Sequence, residues 1–345
     1  MQRPDPDADV KPDSLTEISR RSWRYLTGRT LREFLEDDCL DLAAGLTYYG
    51  VLAVFPALIA VISLLGVFGQ GPQSVTTILD ILQRIIPASG LEVIQPFLEK
   101  LTQTSGATLG LVLGVAGALW FVSAYVGAFG RCMNHIYDIR EGRPIWKLLP
   151  LMGLVTVVLG VLCLCAVLLL ILTGPVARAV GDVLGFGSTA VLMWNIVKWP
   201  VLVAIVFLVI AVLYSATPNV RQPRFRWLSP GAVLAILTWF AGSLLFGLYV
   251  SNFAHYDATY GSIAGVIVLL IWLWVTNIAL LLGAELDAEV ERARELQGGI
   301  RAERTVQLPP RDTRVSDKAA AKHKQDVTGG RKLRKDYSAK SNADR

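Results

Sequence analysis

Hydrophobic and polar positions along this chain fall into long blocks, not the short alternations of a soluble domain. Six blocks cover residues 43–68, 106–129, 148–173, 189–214, 230–250 and 262–284. Each reaches the length of about 20 mostly apolar residues needed to cross a hydrocarbon core of roughly 30 Å. Lipid cannot satisfy backbone amides, so each block predicts a helix. The expected fold is an all-α polytopic membrane protein with six transmembrane helices, its membrane domain spanning residues 43–295.

The polar remainder carries its own pattern. Residues 1–18, rich in Asp and Pro, are expected to be disordered. Residues 19–42 place Leu31, Phe34, Leu35 and Leu42 at helical spacing among charges, which predicts a cytoplasmic amphipathic helix leading into the first span, or a simple elbow that sets its angle. The long connection at 70–105 holds two apolar stripes separated by Pro87, one from Val75 to Ile86 and one from Leu91 to Leu101. Two short amphipathic helices there would cap an outward-facing cavity or serve only as packing. Beyond Glu295 apolar periodicity ends, and residues 296–345 are expected to form a disordered basic cytoplasmic tail.

Charge sharpens this picture. Hydrophobic residues make up 53% and charged residues 18% of the 345, and the net charge is +5. A soluble chain carries about 25% charged residues, so a water-soluble enzyme is excluded. The 33 Lys and Arg are strongly segregated. Seven precede the first block, four lie between the second and third, three between the fourth and fifth, and fifteen follow Ala284. The other side has only Arg84, Lys100 and Arg178, with Lys198 inside a block. By the positive-inside rule both termini are expected in the cytoplasm. The first 42 residues hold no apolar signal region or cleavage site, so the first span is expected to be a retained anchor. None of the four cysteines falls in an outer loop, so no disulfide framework is expected.

Candidate chemistry is sparse. The three histidines, His135, His255 and His323, are assigned to different sides or to the tail, and no zinc or nucleotide motif is present, so neither metal nor cofactor is expected. Gly106, Gly110 and Gly114 form a smooth ridge for close helix contact. Polar groups inside spans are the better candidates, because each is costly in lipid unless it faces protein or water. A substrate or lipid pathway would draw on Tyr48, Tyr49, Pro56, Asn195, Lys198, Pro200 and Asn277. Lys198 would bind an anionic head group or pair with a carboxylate, or else snorkel to the interface; Asn277 would also serve as a bridge between helices. A second group, Arg131, Asn134, Arg140, Glu285 and Asp287, would form a polar cluster at the inner face. Glu285 and Asp287 sit where the macrodipole disfavours carboxylates and therefore want a cationic partner, for which Arg131 and Arg140 are the candidates. Pro56 and Pro200 each follow an aromatic residue in the first helix of a three-helix half, which raises an inverted repeat as a hypothesis.

Several blocks together resemble the YihY/BrkB family, once called ribonuclease BN-like. They are Ala43 to Tyr49 running to Phe55 and Pro56, then Asn134 to Tyr137, then Tyr260 to Ser262 leading through Trp272 to Gly283, Ala284, Glu285, Leu286, Asp287 and Ala288. The resemblance covers about residues 31–292. Asp287 departs from the Asn that members often carry there. The resemblance implies a bacterial inner-membrane protein with six helices, for which transport of lipids or envelope precursors and resistance to serum killing have been suggested. It supplies no catalytic residue. The His-x-His-x-Asp-His cluster of zinc-dependent tRNA-processing nucleases is absent, which argues against the ribonuclease label. Two readings remain: a transporter or lipid translocase, and a structural or assembly factor of the envelope. The expected partners are membrane lipids, with the basic tail on an anionic surface, and further copies of the chain or other envelope proteins. Nucleic acid is disfavoured, since the tail has a single aromatic, Tyr337.

Overall fold

The computed structural model describes residues 3–67, 107–171, 188–223, 229–252 and 262–343. Among them the structure is helical and contains no strand, only an isolated bridge between Val220 and Pro310. The expected connection at 70–105 lies outside the described residues.

Helix α1 (Arg20–Glu36) starts at Ser19, whose hydroxyl accepts from the Ser22 amide at 3.1 Å and satisfies one of the helix's free N–H groups. It buries Leu26, Thr30 and Phe34, one face at i, i+4, i+8. The expected stripe is thus split: Phe34 points inward, while Leu31 and Leu35 remain exposed. After the left-handed Asp38 comes α2 (Cys39–Val67). Then follow α3 (Ala107–Ile136), α4 (Ile145–Ile171), α5 (Ser188–Ala216), α6 (Pro230–Asn252), α7 (Ser262–Gln297) and α8 (Arg314–Ala343). Five of the described helices, α3 to α7, are long and apolar enough to cross a membrane; in α2 the stretch so described is the shorter Cys39–Val54.

Helices α2 to α7 pack in a closed ring in chain order, α7 returning to α2, with α3 also reaching across to α5 and α7. Burial is uneven along them. The core takes Cys39, Ala43 and Leu46 from the start of α2, Val126 to Ile136 from the end of α3, and Met152 to Leu159 from the first half of α4. It takes Ile210 to Tyr214 from the end of α5, Ala232 and Ala235 from the start of α6, and Leu281 to Ala288 from the second half of α7. Successive helices run in opposite directions, so all these residues gather at one end of the ring. There Phe129 stacks between Tyr125 and Tyr214. Farther along, large apolar side chains such as Val112, Trp120, Leu164, Trp199 and Leu245 are exposed.

The tightest approach in the ring joins α6 and α7. A Cβ on Gly231 would meet the Gly283 carbonyl oxygen at 2.0 Å, and one on Gly283 would meet that of Gly231 at 2.3 Å, so only glycine fits at both.

The terminal segments depart from the expectation of disorder. Lys11 is buried with its ammonium 3.0 Å from Glu291 and 3.3 Å from Glu295, and Ile18 packs with Leu26, Val290 and Ala293. Residues 300–313 run beneath the ring with Ala302, Val306 and Leu308 buried. Their backbone joins the segment after α5: Arg221 N donates to Pro309 O at 2.9 Å and Arg311 N to Asn219 O at 3.1 Å. Gly142 lies so close under this strap that a Cβ would stand 1.9 Å from Asp312 O. Beyond it α8 is an exposed helix rich in Lys and Arg. Apolar anchors spaced through polar sequence, Leu15 and Ile18 in one and Ala302, Val306 and Leu308 in the other, hold both segments.

Candidate functional site: a buried polar network at the closed end

Helix α7 has 36 residues and extends about 54 Å at 1.5 Å per residue, well beyond a hydrocarbon core of roughly 30 Å. Its apolar part ends near Ala284, and Glu285 to Gln297 project past it. On this projection the sequence repeats acidic and basic residues while Ala288, Val290 and Ala293 continue a buried apolar face. The helix therefore keeps packing after its composition turns polar, and the charges it carries inward must find partners.

One set of partners is the start of α6. The Asp287 carboxylate accepts from the Gly231 amide at 2.8 Å and, at very close range, from the Ser229 hydroxyl, which in turn accepts from Ala232 N at 3.0 Å. The free N–H groups and positive dipole end of α6 thus supply the compensation for which Arg131 and Arg140 were the candidates. This corrects the expected pairing: a helix N-terminus does the work of the guanidinium.

Glu285 has a different setting. It is 1% exposed and joins Glu33 from α1 and Glu289, one oxygen from each lying within 4.8 Å of the others. Arg29 Nη2 stands 2.6 Å from Glu33 Oε1, and its Nε lies 3.2 Å from Glu289 Oε2 without a hydrogen-bonding angle. Arg292 Nε donates to Glu289 Oε1 at 2.7 Å. Burial pushes the Glu289 carboxyl up, with Arg292 pulling it back. At the end of α1, burial likewise pushes Asp37 up to about 6, opposed by His135 and assisted by Glu33.

Asn134 is the hub of a third group. Its carbonyl oxygen accepts from Asn219 N at 2.7 Å and its amide donates to Glu141 Oε2 at 3.0 Å. Arg143 bridges Glu141 to the Thr217 carbonyl, 2.7 Å from each. Burial pushes Glu141 up, but its bonds from Arg143 and Asn134 outweigh this and hold it below the ordinary carboxylate range. Asn219 also donates to the carbonyls of Arg140 at 3.2 Å and Asp312 at 2.8 Å, so it ties the C-terminal strap to the ring. Arg131 is exposed, its guanidinium 6.0 Å from the Tyr49 ring.

Higher in the ring, Asn277 bridges three helices. Its carbonyl accepts from the Tyr125 hydroxyl at 2.7 Å and its amide donates to Thr47 Oγ1 at 3.1 Å. The remaining pathway candidates are dispersed. Tyr48 is exposed, with Tyr49 half-buried at an edge contact 5.5 Å away. Pro56 lies inside α2 against Gly117, and Pro200 lies exposed inside α5. The Lys198 ammonium lies 5.5 Å from the Trp199 ring. Asn195 belongs to α5, and its side chain is outside the described residues.

The model of the virulence factor BrkB family matches residues 30–307, from the last turns of α1 through every ring helix to the first half of the C-terminal strap. The chain belongs to that family. Among its BrkB relatives, a Bacillus subtilis protein named putative ribonuclease-like protein YfkH is 32% identical over 254 residues, 74% of this chain and 90% of the relative. A UPF0761 membrane protein of Aromatoleum aromaticum is 30% identical, with 81% of this chain and 67% of the relative aligned. One from Alkalilimnicola ehrlichii is 31% identical, covering 73% and 55%. No solved structure matches the chain.

Glu33, Asp37, Glu289, Arg29, Arg292, Lys11, Glu291 and Glu295 escaped the sequence reading. A local signal existed for four of them. Glu285, Glu289 and Arg292 lie on one face at i, i+4 and i+7, and Arg29 and Glu33 form an i, i+4 pair on α1.

Proposed function

We propose that this BrkB protein is a bacterial inner-membrane transporter with six spans and both termini in the cytoplasm, moving a lipid or envelope precursor. One observation carries the reading: among the described residues, the buried side chains of the six ring helices gather at one end and seal it. Phe129, Tyr125 and Tyr214 stack across the ring there, the bonds of Asn277 to Tyr125 and Thr47 lie just above, and the buried residues of every helix gather at that level. A plug at the cytoplasmic end of a ring of helices is what one state of an alternating-access cycle requires. The 29 basic residues assigned to the plugged side against three on the other favour its cytoplasmic placement. The basic face of α8 would rest on anionic head groups, at about 1 kcal/mol per cation close to the surface.

The competing reading, a structural envelope protein, draws on the same plug, because Thr47, Tyr125 and Asn277 satisfy one another and ask for no substrate. We propose no hydrolytic role: the ribonuclease-like name belongs to YfkH, and the histidine cluster of the zinc nucleases is absent here.

The test is reconstitution in proteoliposomes with fluorescent phospholipid and lipid-linked precursor analogues, scored for movement between leaflets. Asn277→Leu removes two inter-helix bonds at the plug and is expected to change the rate at least severalfold. Absence of flux in both directions from a well-folded sample overturns the transport reading. If Lys198→Ala leaves flux and lipid retention unchanged, Lys198 is an interfacial anchor.

A further inference from the structure

Where α1 crosses α7, Glu33, Asp37, Glu285 and Glu289 lie within electrostatic reach of one another, accompanied by Arg29 and Arg292. Four negative charges against two positive ones leave an excess of two in a buried place. The excess centres on Glu285. Its Oε2 is buried and has no hydrogen-bond partner, although it belongs to the group of three glutamates whose oxygens converge within 4.8 Å. An unpaired carboxylate in such a place costs several kcal/mol unless something compensates it. Glu33 and Glu289 each hold an arginine, so the unmet demand points into the space the three glutamates share.

The donors are all carboxylate oxygens, the chemistry preferred by hard cations and not by zinc or copper. Oxygens on opposite sides of a cation bound at about 2.3–2.6 Å lie roughly 4.6–5.2 Å apart. Three carboxylate oxygens within 4.8 Å of one another lie no more than about 2.8 Å from a common centre, so a side-chain adjustment of a few tenths of an ångström brings them onto one coordination sphere. The arginines hold the rotamers of Glu33 and Glu289, as outer partners of metal ligands do, with Arg29 Nε also 3.2 Å from Glu289 Oε2.

We propose that Glu33, Glu285 and Glu289 bind one hard divalent cation, which staples α1 to the projection of α7 beneath the membrane. The site stands apart from the transport reading, since its test reads binding and not flux. Two protons shared among the carboxylates are the competing way to remove the excess charge, and they make the opposite forecast for metal.

The experiment uses the full chain in detergent, stripped with EDTA and exchanged into metal-free buffer, then titrated with Mn²⁺ and followed by electron paramagnetic resonance. One Mn²⁺ per chain is expected, displaced by Ca²⁺ or Mg²⁺ and unaffected by an equal ionic strength of NaCl. Saturating cation is expected to raise the midpoint of thermal unfolding. Glu285→Gln and Glu33→Gln each lower Mn²⁺ affinity at least tenfold, and Glu36→Gln, an exposed residue of the same helix, leaves it unchanged. Glu33 is partly exposed, so its variant decides the matter if Glu285→Gln fails to fold. No stoichiometric Mn²⁺ on the wild-type chain, or full retention in the glutamine variants, overturns the proposal.

Discussion

Replacing Lys11 by methionine removes the N-terminal segment's cation from two α7 carboxylates and leaves the bond from Arg294 Nε to Pro12 O, at 2.8 Å, in place. The Lys11 side chain is fully buried, as is Glu295, and Glu291 is 2% exposed. Breaking a buried ion pair from one side costs about 3–5 kcal/mol. Two remaining contacts lower that figure: Arg294 still holds Glu291 Oε2 at 2.7 Å, and the Gln307 amide still holds Glu295 Oε2 at 2.7 Å. A value near the bottom of the range, about 3 kcal/mol, multiplies the open population of the segment by about a hundred, since 1.4 kcal/mol is tenfold. The ring itself stays folded. Amide hydrogen exchange resolved by mass spectrometry would therefore show faster exchange over residues 8–18 and little change over α3.

The effect also depends on pH. Burial raises the Glu295 carboxyl above its ordinary value, with the Gln307 amide and then Lys11 opposing that rise. A raised carboxyl contributes stability fully below its unfolded value of about 4.3 and loses it as pH rises through the folded value. Without Lys11 the folded value climbs further, so the gap between wild type and variant is small near pH 4.5 and widens toward pH 8. Lys11→Met combined with Glu295→Gln should recover much of the loss. Unchanged exchange over residues 8–18 in the single variant at pH 8 would refute the buried-pair argument.

Other contacts give sharper local tests. Asp287→Ala leaves the Gly231 amide and the Ser229 hydroxyl without their acceptor and is expected to cost about 2–3 kcal/mol; thermal unfolding in detergent should show it, with Asp287→Asn less damaging. Gly231→Ala should abolish recovery of folded protein, because its Cβ meets backbone at 2.0 Å, whereas Gly153→Ala, with nothing within 4 Å, should be neutral or slightly stabilising when scored by size-exclusion yield and melting point. Asn219→Ala removes the side-chain bonds that hold Asp312 of the C-terminal strap and the Arg140 carbonyl, and should speed proteolysis near residues 309–313 while leaving ring helices intact on a gel.

The ring was legible in the sequence because lipid imposes one rule on every residue of a span. The expected block at 230–250 became Pro230–Asn252, and the block at 189–214 became Ser188–Ala216. The end of α7 was hidden for a physical reason. Hydropathy treats Glu289 and Arg292 as water-facing, whereas an ion pair of 2.7 Å lets both be buried. The straps were hidden because their partners lie far off in sequence: Lys11 meets Glu291 across 280 positions, and no local period records that. The Asp287 pairing was missed because its donors are the Gly231 amide and the Ser229 hydroxyl at the start of α6, which no count of Lys and Arg reveals.

The Lys11 clasp also sets an order for making the protein. Its acidic partners leave the ribosome roughly 14 to 56 s after Lys11, at synthesis rates of about 5–20 residues per second. Throughout that interval all the ring helices are being threaded into the membrane while Lys11 stays hydrated and the N-terminal segment stays open. Closing the clasp can therefore occur only after α7 is in place. A chain stalled or cut before Glu291 keeps an unfastened N-terminus, because neither partner of Lys11 has been made.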